Sequence, residues 1–270
     1  MPKCGATAPR CYFDGDDFKL SLPHNRGDVE LIGKLEDGDV FECRDCGLVF
    51  SPKQDKASYL SLYSDPGRYF DTSVSVGYDS FEDRYAHDFM VSEVRLRNLT
   101  QRLDGEKTAL DVGCGNCALI GRLQQIGLKM FGVDLDTFSV NKGLQRVLPV
   151  EIQIGDYLDV QFPIKFDVIL FTDSFEHLLY PSSYVQRTAK LIAPGGIIVI
   201  EMPDTDCDGY RKDPLHWRHV KPKEHPFLYQ QHHIESLFDP YGFKVVDVVY
   251  TIPGRVIYYL RSPDANNASS

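Results

Sequence analysis

Asp111 stands two residues before Gly113, and Gly115 follows in the stretch Ala-Leu-Asp-Val-Gly-Cys-Gly-Asn-Cys, residues 109–117. Glycines let a backbone bend sharply and come close to a ligand. Residues 113–118 fit the loose pattern G-x-G-x-x-A, and Asp134 follows at the separation where an acid holds ribose hydroxyls in dinucleotide sites. Two ligands therefore compete for the bend. A diphosphate approaching it meets the Asp111 carboxylate, whereas a cationic amino-acid tail on a sulfonium nucleoside is attracted to it. The carboxylate argues for the second.

A further set of residues can move protons or hold a metal. His177 lies in Thr-Asp-Ser-Phe-Glu-His-Leu (172–178), and His216, His219 and His225 lie in the long stretch 201–227. Histidine titrates near neutral pH and is the most frequent general base. A connection this long reads as a functional lid, which points to His216 and His219; its Trp217 is the chain's only tryptophan. For His177 a structural hydrogen bond to backbone competes with catalysis. His232 and His233 read as residues on the surface of a helix. A metal-assisted site built from Asp173, Glu176 and a lid histidine stays open as an alternative.

The seven cysteines are an odd number, and no apolar export signal opens the chain, so metal binding or buried thiols are expected rather than a disulfide framework. Cys-Arg-Asp-Cys-Gly (43–47) is a Cys-x-x-Cys knuckle resembling the second half of a zinc ribbon. The first half would be Met-Pro-Lys-Cys-Gly, in which Met1 occupies a cysteine position. Zinc closes its shell with four ligands, so the expected structural site is Cys4, Cys11, Cys43 and Cys46, with His24 in reserve. Cys114 and Cys117 read as small buried side chains.

These residues need elements to position them. From residue 108 onward strands and helices alternate: Thr-Ala-Leu-Asp-Val, the helix Cys117–Gly127, Lys-Met-Phe-Gly-Val-Asp, Val-Glu-Ile-Gln-Ile-Gly-Asp and Phe-Asp-Val-Ile-Leu-Phe-Thr-Asp. A helix over 182–193, stopped by Pro-Gly-Gly, and the strand Ile-Ile-Val-Ile-Glu-Met come next. The segments 243–250 and 255–262 flank Pro253-Gly254 as an antiparallel hairpin. Such alternation predicts an α/β fold with a mostly parallel sheet covered on both faces. Residues 1–55 read as a small Cys-rich β module, 56–105 as an aromatic, then helical, segment covering a ligand, 106–262 as the main domain, and 263–270 as a disordered tail.

In order, Leu-Asp-Val-Gly-Cys-Gly-Asn-Cys, Gly-Val-Asp-Leu-Asp, Ile-Gly-Asp-Tyr, Phe-Asp-Val-Ile-Leu-Phe-Thr-Asp-Ser-Phe-Glu-His-Leu and Leu-Ile-Ala-Pro-Gly-Gly-Ile-Ile-Val-Ile-Glu-Met-Pro-Asp resemble the signature of class I S-adenosylmethionine-dependent methyltransferases. The likeness covers about residues 108–262. It implies a Rossmann-like sheet with an antiparallel last strand. It also implies that Asp111, Gly113 and Gly115 hold the methionine end of the cofactor, and that Asp134 and Leu135 meet the ribose. Asp156 and Tyr157 would frame the adenine, and Thr172 and Asp173 would line the sulfonium side. Where the family commonly has a third glycine, this chain has Cys117. Tyr78 is the expected ligand contact in the aromatic segment, with Arg68 and Tyr69 near it.

The resemblance implies methyl transfer to a small polar metabolite, a sugar derivative or natural-product intermediate. O-methylation with a His177, His216 or His219 base is preferred over N- or C-methylation. A formal net charge of −10 and the lack of a basic stripe disfavour nucleic acid, so a zinc-ribbon RNA methyltransferase is the weaker alternative; a regulatory module that binds the cofactor without turnover is another. No apolar run approaches a membrane span, and the expected location is cytoplasmic. The sequence does not give the oligomeric state.

Overall fold

The computed structural model describes residues 12–14, 17–19, 29–51, 56–64, 80–105 and 107–264. The expectations for Cys4, Cys11, His24, Arg68, Tyr69, Tyr78 and the tail from 265 lie outside the described residues.

In chain order the strands are β1 (Tyr12–Asp14), β2 (Asp17–Lys19), β3 (Val29–Leu35), β4 (Gly38–Cys43), β5 (Val49–Phe50), β6 (Thr108–Val112), β7 (Lys129–Asp134), β8 (Glu151–Ile154), β9 (Phe166–Thr172), β10 (Ile192–Pro203), β11 (Phe227–Leu228), β12 (Lys244–Tyr250) and β13 (Arg255–Arg261). The α-helices are α1 (Lys56–Ser64), α2 (Phe81–Thr100), α3 (Ala118–Gln125), α4 (Thr137–Leu144), α5 (Pro181–Leu191), α6 (Asp208–Lys212) and α7 (Gln231–Phe238). The central sheet has the order β12-β13-β10-β9-β6-β7-β8. β6 runs parallel to β7 and β9, β7 runs parallel to β8, and β12 pairs antiparallel with β13.

The chain forms two compact units, one of residues 56–172, 191–199 and 264–270 and the other of 1–55, 173–190 and 200–263. In the first, β6 and β9 are short apolar runs whose central residues Ala109, Leu110, Val168 and Ile169 are fully buried, as strands covered on both faces must be. Asp167 ties their starts together by accepting from the Lys107 and Thr108 N–H groups at 2.8 and 2.9 Å. Helix α2 is capped by Ser80, whose Oγ accepts from Asp83 N at 3.2 Å. Helix α4 is capped by Asp136, which accepts from Phe138 N and Ser139 N.

One expectation fails at the start of β10. Pro194-Gly195-Gly196 does not stop the preceding helix; α5 already ends at Leu191 and the strand begins at Ile192. Gly196 is needed within that strand, because a Cβ there would lie 2.9 Å from the carbonyl oxygens of both Ala193 and Asp167.

In the second unit the N-terminal strands form an antiparallel sheet of order β11-β5-β4-β3. β11, from the far end of the long stretch 201–227, pairs with β5 through Phe227↔Phe50 and Leu228↔Val49. Val40, Val49, Tyr210, Val220 and Leu228 make one buried cluster, with Leu215 and Trp217 packed on it. Each such side chain taken fully out of water contributes about 1.5–3 kcal/mol. Gly33 makes room for Leu215, whose Cδ1 would sit 2.3 Å from a Cβ at that position. Tyr210 donates to Glu42 Oε2 at 3.2 Å.

Helix α7 carries His232 and His233, but only His232 lies on its surface. His233 is buried: Nδ1 accepts from Gln230 N at 2.9 Å and Nε2 donates to the Cys46 carbonyl at 3.0 Å. It caps its own helix and latches the cysteine knuckle, a double role that fixes its tautomer. Among the described residues no helix is long and apolar enough to cross a membrane.

Candidate functional site

The glycine bend is built at the carboxyl end of β6. Gly113 has φ +80° and Gly115 φ +48°, values that favour glycine. Gly113 N donates to Val133 O at 2.8 Å and Gly115 N to Asp134 Oδ2 at 2.7 Å, so β7 holds the bend at both of its glycines. Cys117, the expected departure from a third glycine, carries the left-handed φ of +63° itself and is fully buried. Its N–H donates to Cys114 O at 2.9 Å. A hydrogen bond to Cys117, followed by burial, raises the Cys114 thiol well above its ordinary value, so that thiol stays protonated at neutral pH.

Asp111 is 2% exposed, and its Oδ1 has no hydrogen-bond partner. Burial, opposed by the positive charge of Arg95 and supported by Asp134, pushes its pKa up to about 7. A buried carboxylate oxygen without a donor carries a desolvation penalty on the order of 1–3 kcal/mol, and a cationic ligand removes it. Asp134 is pushed up to about 6, chiefly by burial, although the N–H groups of Asp136 and Gly115 pull the other way. Its Oδ1 accepts from Asp136 N at 2.7 Å and its Oδ2 from Gly115 N at 2.7 Å, and the Leu135 N–H adds a third backbone donor. A carboxylate offers about four acceptor sites, so room remains there for a ribose hydroxyl.

Leu135 is the residue between Asp134 and the helix cap Asp136. Asp156 is buried after β8; its Oδ1 accepts from Leu158 N at 2.9 Å and its Oδ2 is 3.1 Å from Lys56 Nζ. Tyr157 is buried edge-on against Phe171 at 6.0 Å. Asp111, Gly113, Gly115, Asp134, Leu135, Asp156, Tyr157 and Thr172 therefore belong to one compact unit, all of them at or just beyond strand ends. Ligands of open α/β sheets bind at carboxyl ends of strands. The cradle fits a nucleoside bearing a cationic tail.

Asp173, the next residue after β9, falls in the other unit. It has a left-handed φ of +53° and its side chain is ion-paired with Arg255, which also reaches Glu201 at 3.3 Å. What the structure gives Asp173 is an ion pair with the partly buried Arg255.

Three of the four candidate histidines converge and one does not. His177 meets His225 edge-on at 4.6 Å between ring centroids, and His219 stacks on His225 at 6.3 Å. His225 Nδ1 donates to the His219 carbonyl at 2.7 Å. Removal from water lowers the imidazole pKa of His177 to about 4 and of His219 to about 3, so both rings are neutral at pH 7. His216 stands apart: its side chain is 83% exposed and pairs with Asp213 at 2.9 Å. Two residues that sequence reasoning underweighted are central here. Glu176 is 2% exposed with an unpartnered Oε2, and burial, reinforced by Asp173, pushes it up to about 8. His225 is the buried hub of the imidazoles. The sequence named His225 as one of four candidate histidines and Glu176 as a ligand of the metal-assisted alternative, and gave neither more weight than that.

The metal-capable grouping among the described residues is Glu176, His177 and His225, not the cysteines. Cys43 and Cys46 are thiols at the end of β4 and in the turn after it, and the other two expected ligands are not described.

A family model described as a methyltransferase domain matches residues 83–248. Among curated relatives, the ubiquinone biosynthesis O-methyltransferase of Proteus mirabilis (strain HI4320) is 30% identical over 114 residues, covering 39% of this chain and 46% of the relative. The dTDP-4-amino-2,3,4,6-tetradeoxy-D-glucose N,N-dimethyltransferase of Saccharopolyspora spinosa is 31% identical over 141 residues, covering 49% and 57%. The chain thus spans about half the length of the curated relatives it matches. Among solved structures, magnesium protoporphyrin IX methyltransferase from Synechocystis PCC 6803 aligns with a TM-score of 0.54 at 15% identity, covering 76% of this chain and 93% of that one. A SAM-dependent methyltransferase from Methanosarcina mazei aligns at 0.52 and 12% identity, covering 62% and 97%. These two likenesses concern the fold.

Proposed function

Because the chain belongs to the methyltransferase-domain family, we propose that it transfers a methyl group from S-adenosylmethionine to a small polar acceptor, by preference a hydroxyl of a sugar derivative or natural-product intermediate. The observation that carries the reading is the orphaned Oδ1 of buried Asp111 beside the glycine bend, which suits an ammonium and repels a diphosphate. Asp111 with the backbone at Gly113 and Gly115 would receive the amino-acid end, Asp134 a ribose hydroxyl, and Asp156 with Tyr157 the adenine. When bound, the cofactor supplies an activated methyl group on a sulfonium, so the chain needs no covalent nucleophile.

What the chain supplies is placement of the acceptor and an exit for its proton. His219 is our choice of base, since its ring is partly exposed and fixed between Trp217, at 4.8 Å, and His225. An O-methyltransferase and an amino-sugar N,N-dimethyltransferase among the relatives support small-molecule acceptors of either kind. A structural zinc on Cys43, Cys46, Cys4 and Cys11 and a cytoplasmic location remain parts of this proposal.

Calorimetric titration with S-adenosylhomocysteine and with NAD tests the core of it. S-adenosylhomocysteine is expected to bind and NAD is not; the reverse result would end the reading. In a transfer assay with labelled cofactor against phenols, sugars and amino sugars, His219→Ala is expected to lower kcat on the order of 10²- to 10⁴-fold with cofactor Kd unchanged. His216→Ala, on the surface, is expected to turn over normally.

A further inference from the structure

Glu176, His177 and His225 each present one ligand-type atom, and the three atoms lie within 4.8 Å of one another. We propose that they form a binding site for a divalent transition-metal ion with an open coordination position that takes a hydroxyl oxygen of the acceptor. The existence of the site stands on its own geometry; its use in catalysis rests on the methyl-transfer reading above.

The first support is the carboxylate. Glu176 Oε2 is buried and has no hydrogen-bond partner. The nearby cation Arg255 is already shared between Asp173 and Glu201, which leaves this oxygen open to a bound cation. The Tyr229 hydroxyl, fully buried next to the same carboxylate, is likewise without a partner. Two orphaned polar groups in one buried spot mark a place built around something.

The second support is the way the imidazoles are held. His225 Nδ1 donates to the His219 carbonyl at 2.7 Å, which leaves its Nε2 lone pair as the outward-facing atom. His177 is hydrogen-bonded to the backbone of Glu224. Metal-ligating histidines are oriented in this way, one ring nitrogen donating to a carbonyl while the other binds. Ligand atoms about 2.1 Å from a shared ion stand about 3.0–3.5 Å apart, so small side-chain rotations close the shell.

The donor set decides the kind of ion. Two imidazoles and one carboxylate suit Zn²⁺, Co²⁺ or Fe²⁺ better than Mg²⁺ or Ca²⁺, which prefer oxygen alone. Three protein ligands leave a position open, the arrangement of catalytic rather than structural metal sites. An acceptor hydroxyl bound there becomes more acidic. Its proton passes to water by way of the His219 imidazole.

The test uses the full chain with Cys43→Ser and Cys46→Ser, stripped with a chelator and titrated with Co²⁺ under visible absorption, with S-adenosylhomocysteine binding measured on the same sample. One equivalent is expected, with weak d–d bands and no thiolate charge-transfer band. Glu176→Gln and His225→Gln are each expected to weaken Co²⁺ binding on the order of 10- to 100-fold. Stripped protein that binds S-adenosylhomocysteine but no Co²⁺, or Co²⁺ affinity unmoved by both substitutions, would overturn the site. Should the variants fail to fold, X-ray absorption of the cobalt-loaded parent decides: imidazole and oxygen scattering supports the site, and a sulfur shell refutes it. Co²⁺ bound as expected in a sample that ignores S-adenosylhomocysteine would leave the metal site standing and remove the methyl-transfer reading instead.

Discussion

Asp111 and Asp134 place opposite demands on the protein with and without a ligand. Both are raised above the ordinary carboxylate value of 3.8, to about 7 and about 6. The folded chain therefore binds more protons than the unfolded one between pH 4 and 7, and these two groups make stability fall as pH rises through that window. A cationic ligand with ribose hydroxyls favours the ionised forms and so reverses the trend. Thermal melts are expected to show a larger Tm gain from S-adenosylhomocysteine at pH 8 than at pH 5.5; equal gains would mean that neither carboxylate titrates against the ligand. Asp134→Ala is expected to weaken that binding by about 3 kcal/mol, on the order of 100-fold, for a hydrogen bond to a charged acceptor. Calorimetry on a variant with an unchanged circular dichroism spectrum measures it.

Helix α4 decides the shape of the glycine bend although it contains none of its residues. Gly143, on α4, faces Asn116, and a Cβ there would lie 2.2 Å from the Asn116 carbonyl oxygen. Gly143→Ala is expected to cost about 1–3 kcal/mol in stability and to weaken S-adenosylhomocysteine binding as well, through a shift of the bend that relieves the clash. A lower Tm with undiminished affinity would show that the strain is absorbed elsewhere.

α4 was not legible in the sequence. Its eight residues, Thr-Phe-Ser-Val-Asn-Lys-Gly-Leu, carry a weak apolar face and an interior glycine, and tertiary contact decides their structure. β6 and β7 were legible to the residue because uninterrupted apolar runs between turn residues have few alternatives. Asp111 and Asp134 stood out as candidates for a similar reason, each standing at or next to the end of such a run. Glu176 and His225 were named there only as one possible metal ligand and one of several histidines, since what sets them apart is burial, with Glu176 Oε2 unpartnered as well, and a sequence does not record burial.

For the molecule as a whole, the division of labour follows the two compact units. The glycine bend and the residues around it lie in one unit, and the imidazoles with Glu176 and Arg255 in the other. The chain passes between them five times, among them at Thr172–Asp173 and within β10. The charge balance of −10 belongs to this scale too, and agrees with an acceptor that is not a polyanion.

The pairing of β5 with β11 bears on how the protein can be handled at the bench. A version expressed from residue 56 onward would look like a tidy catalytic fragment, yet it would strip a hydrogen-bonded neighbour from Phe227–Leu228 and the apolar floor from beneath Tyr210 and Val220. We expect such a fragment to keep its grip on S-adenosylhomocysteine, to lose turnover, and to be nicked by trypsin between residues 211 and 223, where the intact chain resists. The first strands would then be a splint for residues 201–227.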